Sequence, residues 1–223
     1  MMLAALAVAG LAALGGGAAG LYAEMSRGPT LAEVTAAGRA EVATRWERLP
    51  AGRIFPASIR YVTTDGLITA ARRAGIAPAA SCAAGLDTAV ARALGRQGCV
   101  RVLRSTYVDS SASLAGTVGV AVMPSTARAA QALAGFRATS AGVRAVGFRG
   151  TVTHLFTDSL RQEFGAVAAG PYIMFYAVGH ASGLGVAPAD SQALADFGTG
   201  LTTGEISVLT NGGPPCKRKD IGC

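Results

Sequence analysis

The sequence predicts an α+β fold: an antiparallel or mixed sheet with helices packed mainly on one face, preceded by one N-terminal transmembrane helix. Three observations carry this. Strand patterns rich in valine come in pairs separated by helical patterns, Asp65-Gly66 supplies a tight turn inside the first pair, and residues 3–22 hold no charge. Strand pairs alternating with helices favour this layout over the crossover units of a parallel sheet.

The chain has 223 residues, 51 % of them hydrophobic and only 15 % charged, against about 25 % charged in ordinary soluble domains. Part of that excess lies in LAALAVAGLAALGGGAAGLY (3–22), which matches the ~20 apolar residues a helix needs to cross a bilayer core. Tyr22 then falls at the interface. The run is longer than the ~7–15 apolar residues of a secretory signal, which favours an uncleaved anchor; cleavage would instead release a secreted protein. Gly15, Gly16 and Gly17 and the missing polar face speak against a buried helix of a soluble protein. Arg27 and Arg39 follow the segment and no Lys or Arg precedes it, so the positive-inside rule alone places the domain in the cytoplasm. Long domains, however, translocate largely regardless of charge.

The cysteines decide between the two sides. Cys82, Cys99, Cys216 and Cys223 allow three pairings, and neither zinc-ligand nor C-x-x-C spacing occurs. Cys82 and Cys99 bracket a helical pattern with Leu86, Val90 and Leu94 at fourfold spacing and Gly98 at its end, so turns at both ends can bring the two thiols together. Cys216 and Cys223 can close the polar tail CKRKDIGC. Disulfides persist in oxidising compartments, which predicts an extracytoplasmic domain on a single-pass anchor in the cell membrane.

Along the chain, Leu31, Val34, Val42 and Trp46 give a stalk helix ended by Pro50. Residues 54–63 and 67–76 form a hairpin around Asp65-Gly66, and the cysteine-bracketed helix follows. VRVLRSTYVD (100–109) and LAGTVGVAVMPS (114–125) form a second hairpin whose second strand is the buried one. Ser125 or Thr126 caps a helix ended by Gly135. Residues 137–156 show little periodicity, 157–168 read as a short capped helix, 171–183 as the most continuous apolar strand, and 187–212 as a helix weakened by glycines. The divisions are therefore 1–25 anchor or signal segment, 26–49 stalk helix or linker, 50–212 α+β domain, and 213–223 disulfide-closed tail.

Chemistry is sparse. The two histidines, His154 and His180, lack a partner at metal-binding spacing, and no H-E-x-x-H, G-x-S-x-G, S-x-x-K or P-loop occurs. GTGLTTGE (198–205) lacks the preceding strand and the lysine of a phosphate loop, so it reads as a flexible or close-packed helix. No catalytic residue, metal or cofactor is predicted. The net charge of +7 is carried mostly by scattered arginines without the aromatic or zinc-finger signatures of nucleic-acid binding, so a solvated surface is expected and no nucleic-acid partner. The candidate binding residues are Arg101, Arg104, Tyr107, Tyr172, Tyr176 and His180. Arginine and tyrosine are enriched at binding hot spots, and His180 ends the strongest strand. A solvated strand edge is the plainer alternative for the two arginines.

RLPAGRIFP (48–56), ARRAGIAP (71–78), VLRSTYVD (102–109), VGVAVMPS (118–125), GPYIMFYAVGHASG (170–183), the cysteine-bracketed helix and the proline-cysteine tail together resemble a group of uncharacterised actinobacterial proteins. These have one membrane segment and an alanine-rich domain outside. The resemblance implies location and architecture and brings no catalytic motif. The expected function is a non-catalytic binding or accessory domain of the cell envelope, held at the membrane by the N-terminal helix, with an envelope protein or cell-wall component as partner. Its alternatives are an envelope hydrolase or transferase using His180 and a carboxylate, and an intracellular basic domain that binds nucleic acid.

Overall fold

The computed structural model of the chain describes residues 27–136, 141–182 and 191–211. Residues Ala40–Gly212 make one compact unit. The predicted anchor and tail cysteines lie outside the described residues, and no described helix is long and apolar enough to cross a membrane.

Helix α1 (Leu31–Arg48) opens with a capping box: the Thr30 backbone N–H donates to Glu33 Oε2 at 2.7 Å and Glu33 N–H donates to Thr30 Oγ1 at 3.3 Å. Farther along, Val42, Trp46 and Leu49 pack on the apolar core, so the end of the expected stalk helix is docked on the domain. The short helix α2 (Ala51–Ile54) then leads into the first hairpin, β1 (Ser58–Val62) and β2 (Ile68–Ala80). Its turn requires Gly66, whose φ is +86°.

The cysteine-bracketed run forms two helices, α3 (Cys82–Gly85) and α4 (Thr88–Arg96). Between them Leu86 makes an antiparallel bridge to Val143, and this pairing interrupts the single helix that the spacing predicts. The second hairpin is present as β3 (Arg101–Val108) and β4 (Leu114–Val122), followed by α5 (Thr126–Ala134) with Ser125 as its N-cap. The last elements are β5 (Glu163–Ala169), β6 (Tyr172–His180) and α6 (Ser191–Thr210). All six strands form one antiparallel sheet in the order β1-β2-β3-β4-β6-β5.

Two sequence expectations are corrected. Helices cover both faces of the sheet rather than mainly one. Tyr172, Met174, Tyr176 and Val178 of β6 share a core with Leu194, Phe197 and Leu201 of α6, while Ile173, Phe175 and Ala177 share another with Val90 and Leu94 of α4 and Ala129 and Ala132 of α5. Every residue of β4 is buried. A strand without a polar face has to be covered twice. Residues 157–168 are likewise no helix: a 3-10 turn over Asp158–Leu160 leads into β5. Gly170 at φ +59°, followed by Pro171, turns the chain back, and pairing along β6 overrides the helical preference of the alanines.

Gly198 and Gly200 of α6 are close-approach positions, as the packed reading of GTGLTTGE expects. A Cβ on Gly198 would lie 2.3 Å from the Tyr176 ring, and one on Gly165 of β5 would lie 2.2 Å from the same ring. The Tyr176 ring is thus held between two residues without side chains. Gly198→Val is expected to destabilise the domain by about 1–3 kcal/mol through overpacking, read as a lower thermal midpoint.

Candidate anion site

Three of the six candidate binding residues turn out to be core. Tyr107 and Tyr172 are fully buried; the Tyr107 hydroxyl donates to Pro56 O at 3.0 Å and that of Tyr172 donates to Val42 O. Tyr176 is 8 % exposed and joins them in the same core, and burial pushes its hydroxyl above the ordinary pKa, with Glu163 adding to the effect. They are corrected from surface candidates to packing residues: aromatic rings on an apolar strand bury more area inward than they offer outward. Arg101 is exposed at the start of β3. His180 is partly buried at the end of β6, where its backbone N–H donates to Gln162 Oε1 at 2.9 Å.

Arg104 is different. It lies in mid-β3, in register with Ala77 of β2 and Gly119 of β4. Gly119 leaves space that Val143 fills, since a Cβ there would lie 2.6 Å from Val143 Cγ2. This close fit brings residues 141–146 down onto the sheet. Thr106 donates to Val146 O at 2.6 Å and Thr117 accepts from Val146 N–H at 3.0 Å, while the two hydroxyls bond each other at 2.8 Å. Upstream, Arg144 N–H donates to Gly85 O and its Nε to Leu86 O, both at 3.0 Å.

The segment therefore carries Arg144 toward Arg104, with Asp158 and Arg161 following on the turn beyond it. Arg161 takes the acids. Its guanidinium forks onto Asp87 at 2.7 and 3.0 Å, and its Nε lies 3.2 Å from Asp158 Oδ1. Burial raises the Asp87 carboxyl, yet the Arg161 hydrogen bonds, the Gly142 N–H and the charges of Arg161 and Arg144 together hold it below its ordinary value.

Arg104 differs: its Nε is buried and makes no hydrogen bond among the described residues. Burial pulls Arg104 below its ordinary pKa, against the pull of Asp158 and with the repulsion of Arg144. Arginine nevertheless stays protonated at neutral pH. A buried donor left unsatisfied costs about 1–3 kcal/mol, more when charged, so the Arg104 charge is held at a cost that an anion near its guanidinium would offset. Residues Arg144, Asp158, Arg161 and Asp87 carry no motif, so the sequence offers Arg104 alone.

The Cys82–Cys99 disulfide is formed, with a Cα–Cα distance of 6.3 Å. Among the described residues no group of three or more His, Cys, Asp or Glu side chains is placed to hold a metal. No family model, curated protein or solved structure matches the chain.

Proposed function

We propose that the protein is a membrane-anchored, extracytoplasmic binding domain that holds an anionic group, a carboxylate or phosphate of an envelope component, at Arg104 and Arg144. The observation that carries this is the buried Arg104 Nε, which makes no hydrogen bond among the described residues, with Arg144 close enough to repel it and the nearby Asp158 already engaged by Arg161. Planar guanidinium groups suit both oxyanions because they donate in a fork. The uncharged segment 3–22 supports the anchor, and the Cys82–Cys99 disulfide supports the outer side. The resemblance to actinobacterial anchored proteins agrees with both.

The test is thermal unfolding of the full chain in phosphate, citrate or sodium chloride at matched ionic strength. At ten times its dissociation constant a bound anion stabilises by about 1.4 kcal/mol, which raises the midpoint by about 3–6 °C in a chain of this size. Phosphate or citrate should give that rise beyond chloride, and Arg104→Met should remove it while melting normally without the anion. Equal rises in both proteins would overturn the site. Membrane-impermeant thiol labelling of intact cells, before and after reduction, tests the location: Cys82 and Cys99 should label only after reduction, and labelling that requires lysis instead would place the domain inside.

A further inference from the structure

We infer that two copies of this chain pair antiparallel through the free edge of β5, with Ala166 on the two-fold axis. Among the described residues β5 is the last strand of the sheet and pairs only with β6, in unbroken register from Glu163 to Ala169. An exposed sheet edge is ordinarily blunted by lysine, proline, a bulge or a covering charge. Residues EFGAVAA contain no lysine or proline and the register contains no bulge.

The sequence of the strand selects the partner and the register. In a two-fold antiparallel pair, opposite residues share a face, so the axis must pass midway between one residue and its own copy. Centring on Ala166 pairs all seven residues of β5, whereas Gly165 or Val167 at the centre leaves two residues of each strand unpaired. It sets Glu163 opposite Ala169 of the second copy, so no like charges meet. The other free edge, β1, behaves differently: self-pairing of its five residues about their centre sets Arg60 against Arg60.

The same register explains a recess. Gly165, Ala166 and Val167 of β5 with Tyr176, Thr199, Thr202 and Thr203 enclose about 340 Å³. The three threonine hydroxyls are satisfied within α6, donating to Ala195 O at 2.8 Å and to Thr199 O at 2.9 and 3.0 Å, so the recess calls for an apolar occupant. Val167 is 39 % exposed. With Ala166 on the axis, Val167 of each copy stands opposite Gly165 of the other, on the recess face and where the host strand has no side chain. The edge and the recess thus accept one and the same partner, a second β5.

Single cysteines test this in the full chain in detergent, with Cys216→Ser and Cys223→Ser as background. Opposite residues in antiparallel strands lie about 4.5–5.5 Å apart between Cα atoms, within disulfide reach. Ala166→Cys should therefore cross-link to a doubled mass on mild oxidation, Val167→Cys weakly, and Ala168→Cys, four residues out of register with itself, not at all. Adding Val167→Lys to Ala166→Cys should cut cross-linking at least tenfold with an unchanged melting midpoint. Equal cross-linking at the three positions, no cross-link from an Ala166→Cys protein that melts normally, or dimers by sedimentation that Val167→Lys leaves intact would each overturn the pairing.

Discussion

Cys82→Ser is expected to lower the stability of the domain by about 3 kcal/mol, the chain-entropy value for a loop of this size, and the melting midpoint by about 6–12 °C. The bridge spans a sequence separation of 17 and closes the segment that holds α3 and α4. Without it the unfolded chain gains freedom that the folded state must again give up. The effect reaches the candidate site, because the acceptors that fix Arg144, Gly85 O and Leu86 O, lie inside the closed segment. Reduction of the native protein should reproduce the Cys82→Ser midpoint, and the anion-dependent rise should shrink with it. A midpoint insensitive to both reductant and substitution would show that α3 and α4 are held by packing alone, through Leu86, Val90 and Leu94.

Much of the fold was legible where local chemistry and tertiary context agree. Asp65-Gly66 marks the β1–β2 turn because only glycine takes its φ cheaply; Ser125 caps α5, and the valines of β3 and β4 announce their hairpin. Context misled elsewhere. The run GAVAA reads as helix in isolation and is a strand only because β6 lies beside it and the Tyr176 ring needs Gly165 bare. The two-sided cover of the sheet was readable in principle, since β6 is apolar at successive positions and not merely at alternate ones. The candidate site was readable only at Arg104. Arg144 sits on a segment without periodicity, placed by Gly119 and by the Thr106–Thr117 pair, and two threonines facing each other across strands leave no one-dimensional signature. The tyrosines failed as surface candidates for the converse reason: hot-spot statistics describe tyrosines that are exposed, and exposure is a property of the fold.

Asp87 provides the second large effect. Its carboxylate accepts both arms of Arg161 and the Gly142 N–H at 2.8 Å, and the Arg161 side chain is only 9 % exposed. Asp87→Ala leaves a largely buried guanidinium with Asp158, Val143 O and the Phe164 ring and strips Gly142 of its acceptor, an expected loss of about 2–3 kcal/mol. Asp87→Asn, which can still accept from Gly142, should lose about half as much. The pH dependence has a defined sign. Because the folded carboxyl titrates below its ordinary value, its contribution is complete above the unfolded pKa of about 4 and is lost as pH falls through the lower, folded value. Denaturant midpoints of the native protein should therefore decline below about pH 4, and those of Asp87→Asn less steeply. The same substitution separates structure from binding. Removing a carboxylate beside Arg144 and Arg161 makes the cluster more positive, so Asp87→Asn should lower stability without anion and enlarge the stabilisation by phosphate. If both quantities fall together, Asp87 orders the site more than its charge opposes the ligand.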